Sequence, residues 1–321
     1  MKVTRIFKAF FESEKAGGIV LIFVTAISLI LANLSFGESY MAFWETPMGS
    51  HSLAHWINDG LMAIFFLLIG LELEREIYKG ELSNLKTAAL PLFGALGGMV
   101  VPAGIYMAFN AGTPLQSGFG IPMATDIAFA IGILSLVGNR VPMALKIFLT
   151  ALAVIDDLGA ILVIAFFYTS SLSYAYLGGA ALIWAVLFGL NRLKVHNFLP
   201  YLVGGVGLWY CMLNSGIHAT ISGVILAFVI PFGDGSNKTL SSKLQHALHY
   251  PVAFVILPLF ALANTAIRFE AGWQDTIMNT AVYGIIAGLL IGKPLGIALF
   301  AWTGRMAGVC QFPKGVGMGS I

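Results

Sequence analysis

The sequence predicts an all-α membrane protein, a polytopic bundle of about ten helical spans with interrupted helices, and three observations lead there. Apolar runs recur along all 321 residues, of which 58% are hydrophobic and 10% charged. Basic residues gather in alternate connections between those runs. Glycine and proline break the runs close to the few charges they contain. A mean hydropathy of +0.88 excludes a soluble domain and, with it, a nucleic-acid partner. The environment implied is the lipid bilayer.

Taken in order, the runs fall at about 17–36, 57–74, 87–109, 121–138, 142–168, 174–190, 198–213, 216–232, 248–266 and 278–303. Each approaches the roughly 20 residues that cross about 30 Å of hydrocarbon, though several are short. Before the first run, MKVTRIFKAFFESEKA is charged and mildly amphipathic and no small-residue cleavage site follows, so it reads as a retained interfacial segment. Lys2, Arg5, Lys8 and Lys15 precede the first run, and Arg75, Lys79 and Lys86 follow the second. Arg140 and Lys146, Arg192 and Lys194, Lys238 and Lys243, then Arg305 and Lys314 fall after the later even-numbered runs. The opposite connections contain Arg268 alone, so both termini are expected in the cytoplasm. Cys211 and Cys310 form no framework or CxxC site and say nothing about redox compartment.

Four charges sit deep inside the runs, away from their ends. Asp126, Asp156 and Asp157 lie within IPMATDIAFAIGILSLVGNRVPMALKIFLTALAVIDDLGA, and Lys293 lies within AGLLIGKPLGIAL. A carboxylate at bilayer depth costs about 2.5–3.5 kcal/mol even on insertion scales, which points to an ion or proton pathway. Lys293 is too far from either end of its run to reach the interface easily, so it needs a buried anion, with Asp156 or Asp157 the candidate. Adjacent helical residues point about 100° apart. One aspartate is therefore expected to line a cavity while the other turns to a neighbour. Burial raises a carboxyl's proton affinity and a nearby cation lowers it. Once deprotonated, the group is a hard oxygen ligand for a small cation such as Na⁺, so proton and cation compete for it. Competition at a site open to each side in turn is sufficient for exchange.

Pro91, Pro102, Pro122, Pro251, Pro258 and Pro294 each remove a backbone donor, and the freed carbonyls need other partners in lipid. Thr125–Asp126 is the expected unwound point. Asp126 reads either as neutralising helix-end dipoles there or as a direct cation ligand. Asn58 and Asp59 at one end of the second run, and Glu72, Glu74, Arg75 and Glu76 at the other, read first as helix-end charges; Glu72 and Arg75 are spaced to pair. His246 and His249, at i and i+3, read as a solvated helix end or as a proton-sensing cluster, and His218 is similarly ambiguous.

ATDIAFA, then LKIF and AVIDDLGAI, then GIIAGLLIGKPLGI, with WIND, FFLLIGLELERE and SGIHAT in the same order, resemble the NhaA family of Na⁺/H⁺ antiporters along essentially the whole chain. The resemblance implies electrogenic, pH-regulated exchange of Na⁺ or Li⁺ for protons by a multi-pass protein of the bacterial inner membrane, without a cofactor. It implies a single integral membrane domain over 1–321. Within it, 17–86 and 174–266 lie mainly on an interface side, 87–168 and 278–303 on a core side of inverted repeats, and 304–321 form a cytoplasmic tail. By motif, Asp157 becomes the cation and proton carrier, with Asp156 the accessory carboxylate that exchanges its partnership with Lys293. Asp126 and Thr125 belong to a helix crossing, and Glu72, Arg75, Glu76, His246 and His249 to a cytoplasmic pH-response region. A hairpin within residues 38–55 is expected to make a homodimer.

Two departures accompany the resemblance. Gln245 stands where the family usually has a glutamate. The family has twelve spans against about ten here, so the inverted-repeat core is expected to be incomplete at its C-terminal end and transport to be impaired. Rival readings are weaker. An intramembrane aspartyl protease would resemble YD and GxGD patterns, which do not occur, and Lys293 would spoil a shared proton. A Na⁺-coupled carrier of another solute would need further polar groups beside Lys293.

Overall fold

The computed structural model describes residues 14–80, 83, 85–124, 143–167, 172–269 and 278–310. Its helices follow the apolar runs. The first run is helical as α1 (Glu14–Ala32), after which the chain bends by 119° into α2 (Gly37–Trp44). Gly37 permits that bend, because a β-carbon there would overlap the carbonyl of Ala32. A two-stranded hairpin follows, β1 (Pro47–Met48) against β2 (His51–Ser52), with Gly49 at φ +76 in its turn. Then come α3 (Leu53–Lys79), α4 (Leu85–Asn110), a 3-10 segment (Pro114–Met123), α5 (Met143–Phe167) and α6 (Tyr174–Arg192). After these are α7 (Phe198–Leu213), α8 (Ile221–Ala227), α9 (Leu240–Asn264) and α10 (Thr280–Met306). Asparagine or threonine side chains cap three of the later helices, with Asn197 before α7, Thr239 before α9 and Asn279 before α10.

Among the described residues, five helices are long and apolar enough to cross a membrane, α3, most of α4, α6, α9 and α10, and the bent α1–α2 pair makes a sixth if counted as one span. Their outer faces carry large apolar side chains such as Phe23, Leu182 and Leu290, each at least 65% exposed, which suits lipid and not water. The run at 216–232 departs from a simple span. Its α-helix covers only the seven residues of α8, extended to His218 and Ile230 by i→i+3 turns. Ser215 and Ser222 close on nearby carbonyls, and Gly216 takes φ +88, so the backbone tightens where apolarity alone suggested a continuous helix. The run at 121–138 is described only to Ala124, and Thr125 and Asp126 lie outside the described residues.

Contacts divide the chain into two compact units, residues 1–78 with 169–269, and residues 79–168 with 270–321. In the first, Leu71, Leu187, Tyr201, Ala227, Val229 and Ile230 form one core, and Met62, Leu68, Val252 and Ile256 another. Helices α3 and α8 meet backbone to backbone, since a β-carbon on Gly223 would overlap the carbonyl of Ala63. In the second unit α4 is the central strut. Its Ala89, Leu90 and Ala95 pack with Phe148 and Leu152 of α5 and Ala301 of α10. Buried Asn110 ties the far end of α4 to the start of α10, giving a hydrogen bond to the Thr280 carbonyl and receiving one from the Thr280 hydroxyl at 2.8 Å.

Gly223→Ala is expected to destabilise the purified protein by about 1–3 kcal/mol through overpacking. Gly178→Ala, at a helical position with nothing within 4 Å of the added carbon, is expected to be neutral or slightly stabilising. Thermal unfolding in detergent checks both.

Candidate functional site

Helix α5 carries Asp156 and Asp157 midway along its length, amid apolar residues with no charge of their own to offer. Helix α10 carries Lys293 midway along its length too, directly after a π-helical turn, Gly288–Gly292. The second unit brings two of these groups together. The Lys293 ammonium donates to Oδ2 of Asp156 at 2.8 Å, to the Met123 carbonyl at 2.5 Å and to the Ala124 carbonyl at 3.3 Å. Three donors thus meet three acceptors, the full complement of a lysine.

Asp156 is fully buried and the Lys293 side chain is 11% exposed. The pair is electrically neutral in a setting where either charge alone would be costly. The two carbonyls belong to the end of the 3-10 segment, where Ala124 has already turned extended with ψ 147. A helix end exposes carbonyls that lack intrahelical donors, and here a lysine supplies them. Beside the pair lies a cavity of about 290 Å³ lined by Leu145, Phe148, Leu149, Leu289, Pro294 and Ile297, with Lys293 as its charged member. Charge placement alone left Asp156 and Asp157 as alternative partners for Lys293, the resemblance named Asp156, and the structure pairs Asp156 with Lys293.

Asp157 follows Asp156 on the same helix, about 100° further round. The expected pH-response residues all lie in the first unit. Glu72 of α3 takes a side-chain hydrogen bond from Gln245 of α9, with Glu76 and Arg75 close enough to act on its charge. The hydrogen-bond partner of Glu72 is thus on another helix, and Arg75 is exposed. His246, His249 and His218 are exposed as well.

Some residues of chemical interest escaped the sequence reading. Glu74, grouped there with helix-end charges, is 3% exposed and accepts from the Ser241 hydroxyl at 3.4 Å. Its position was legible, because it follows fully buried Leu71 by three residues on the same helix face. The Met123 and Ala124 carbonyls had no sequence signal beyond Pro122. His51, His55 and Asp59, spaced by fours, cluster beside the hairpin, with the His51 and His55 rings stacked at 4.0 Å and His55 3.2 Å from the Asp59 carboxylate.

Comparison with known proteins identifies the family. The family model of the Na⁺/H⁺ antiporter 1 group matches residues 8–321, which takes in both compact units and all the residues just described. The chain belongs to this antiporter family. Curated relatives agree. A protein of Flavobacterium johnsoniae named Na⁺/H⁺ antiporter NhaA 1 is 65% identical over 314 residues, covering 98% of this chain and 82% of that relative. The NhaA antiporter of Cytophaga hutchinsonii is 63% identical over 98% of this chain and 81% of its own length. That of Aliivibrio fischeri is 48% identical over 98% of this chain and 83% of its own.

Removing Lys293 leaves a buried carboxylate without its cation. Lys293→Ala is expected to cost about 3–5 kcal/mol of stability, and Asp156→Leu combined with Lys293→Met to recover most of it. A loss below about 1 kcal/mol in Lys293→Ala, the scale of an exposed pair, would show that the pair is not buried as described.

Proposed function

We propose that this chain exchanges Na⁺ or Li⁺ for protons across a bacterial inner membrane, with Asp157 as the group that holds either ion and Asp156 as its accessory. The observation that carries the reading is the buried Lys293–Asp156 pair on the helix that also bears Asp157. With Asp156 held by an ammonium, the neighbouring carboxylate is assigned the incoming charge. A proton and a small hard cation are the two species suited to a lone carboxylate, and each excludes the other. Alternating exposure of that group converts competition into exchange, because Na⁺ is released where protons are abundant and loaded where they are scarce. Neither ion requires a cofactor.

The relatives' names support the substrate assignment. Alternating basic connections support cytoplasmic termini. Glu72, Arg75, Glu76, His246 and His249 are proposed as the region where cytoplasmic pH is read, with Gln245 contributing a hydrogen bond where a second carboxyl would have titrated. Asp126 and Thr125 are proposed to complete the site from the chain just beyond Ala124. The hairpin at residues 47–52 offers a backbone edge for a second copy, which supports a homodimer. An aspartyl-protease chemistry is disfavoured because two aspartates sharing a proton cannot also have one member bound to an ammonium.

The test is Na⁺-dependent dissipation of a pH gradient in proteoliposomes. The protein is expected to collapse the gradient on addition of Na⁺, and Asp157→Asn, which keeps the shape but removes the charge, is expected to abolish the response. Dissipation untouched by Asp157→Asn would remove the proposed carrier.

A further inference from the structure

The π turn before Lys293 has a packing partner that links it to the site. From Asn110–Thr280 through Tyr106–Gly284 to Pro102–Gly288, helices α4 and α10 step four residues for four. Beyond that point Gly292 also meets Pro102 and the next close pair is Gly97–Gly296, so α10 runs from Gly288 to Gly296 while α4 covers the shorter stretch from Pro102 to Gly97. The π turn lies in that interval. Its closing hydrogen bond runs from the Lys293 N–H to the Gly288 carbonyl, which brings residue 293, not residue 292, back over Gly288.

Both ends of this turn bear on one short piece of chain. Gly288 is buried against Pro122, so that an added β-carbon would lie 2.9 Å from the Pro122 Cβ and 3.2 Å from the Pro102 carbonyl oxygen. Five residues on, the Lys293 ammonium holds the carbonyls of Met123 and Ala124, the next two residues after Pro122. No methyl fits at Gly288 unless Pro122, Pro102 or the turn itself shifts by a few tenths of an ångström, and a shift of Pro122 or of the turn changes the distance between those carbonyls and the ammonium.

We propose that Gly288, through its seat on Pro122, is a positioning residue for cation binding: it keeps the Lys293 charge divided between Asp156 and two backbone carbonyls. Freed from the carbonyls, the ammonium bears more fully on Asp156 and becomes a stronger competitor for the incoming Na⁺. Gly288→Ala therefore weakens Na⁺ binding without entering the site. The inference rests on the antiport reading given above.

The experiment uses the full chain, purified and reconstituted, with equilibrium binding of radioactive sodium and the maximal exchange rate as paired measurements. Gly288→Ala is expected to weaken apparent Na⁺ affinity at least about threefold, with the maximal rate per folded molecule held within about twofold, and to add nothing in a Lys293→Ala background. Gly104→Ala, a control with nothing within 4 Å, is expected to match the unsubstituted protein. Unchanged affinity with reduced yield or rate would overturn the proposal, and so would an equal loss of affinity with and without Lys293. Should Gly288→Ala fail to fold, Pro122→Gly removes the facing ring without adding volume and is expected to weaken affinity in the same direction; unchanged affinity there overturns the proposal as well. Retention of exchange by Asp157→Asn would instead remove Asp157 as the carrier, and absence of Na⁺-driven exchange in the unsubstituted protein would sink the antiport reading, whichever result Gly288 gives.

Discussion

A lysine ammonium sealed in an apolar helix pair has few ways to remain charged, and Lys293 uses three at once. The second unit is arranged to make that arrangement hold. Helix α5 delivers a fully buried carboxylate, the 3-10 segment ends where its last carbonyls face the ammonium, and α10 approaches α4 closely enough that glycine is required at their crossing. Each acceptor alone would leave the charge partly unsatisfied in low dielectric. Together they make a neutral cluster that tolerates one further exchangeable charge beside it.

Such a cluster also explains why the backbone is irregular here. Regular α-helices bury all their carbonyls in their own hydrogen bonds and have none to offer a cation. A 3-10 segment ending in extended backbone offers two, and a π turn changes which residue faces them. Irregular backbone inside a membrane is tolerated where protein surrounds it, and Pro122, Met123 and Gly288 are all buried.

Much of this was legible in the amino acids. Charges within apolar runs pointed to Asp156, Asp157 and Lys293, because solvation costs make such residues rare without a function. Seating Asp156 against Lys293 required the rotation of α5 about its axis, which the packing of its Phe148 and Leu152 against Ala89, Leu90 and Ala95 of α4 determines and sequence does not. Pro122 signalled a break, but where the carbonyls would point depended on the helices around it. Glu74 was misgrouped because the charge of its neighbours masked its place on the face of Leu71. Hydropathy likewise could not foresee that residues 216–232 would hold only seven α-helical residues, since serine side chains and a positive-φ glycine set those boundaries.

The central claim is that one carboxylate beside the neutral Lys293–Asp156 pair holds a sodium ion or a proton and never both. Equilibrium Na⁺ binding to the purified protein across a range of pH, with proton release recorded in the same titration, tests it most directly. Competition predicts that apparent affinity falls about tenfold for each unit of acidification below the group's titration point, with protons released as Na⁺ binds. Affinity independent of pH, or binding without proton release, would contradict it.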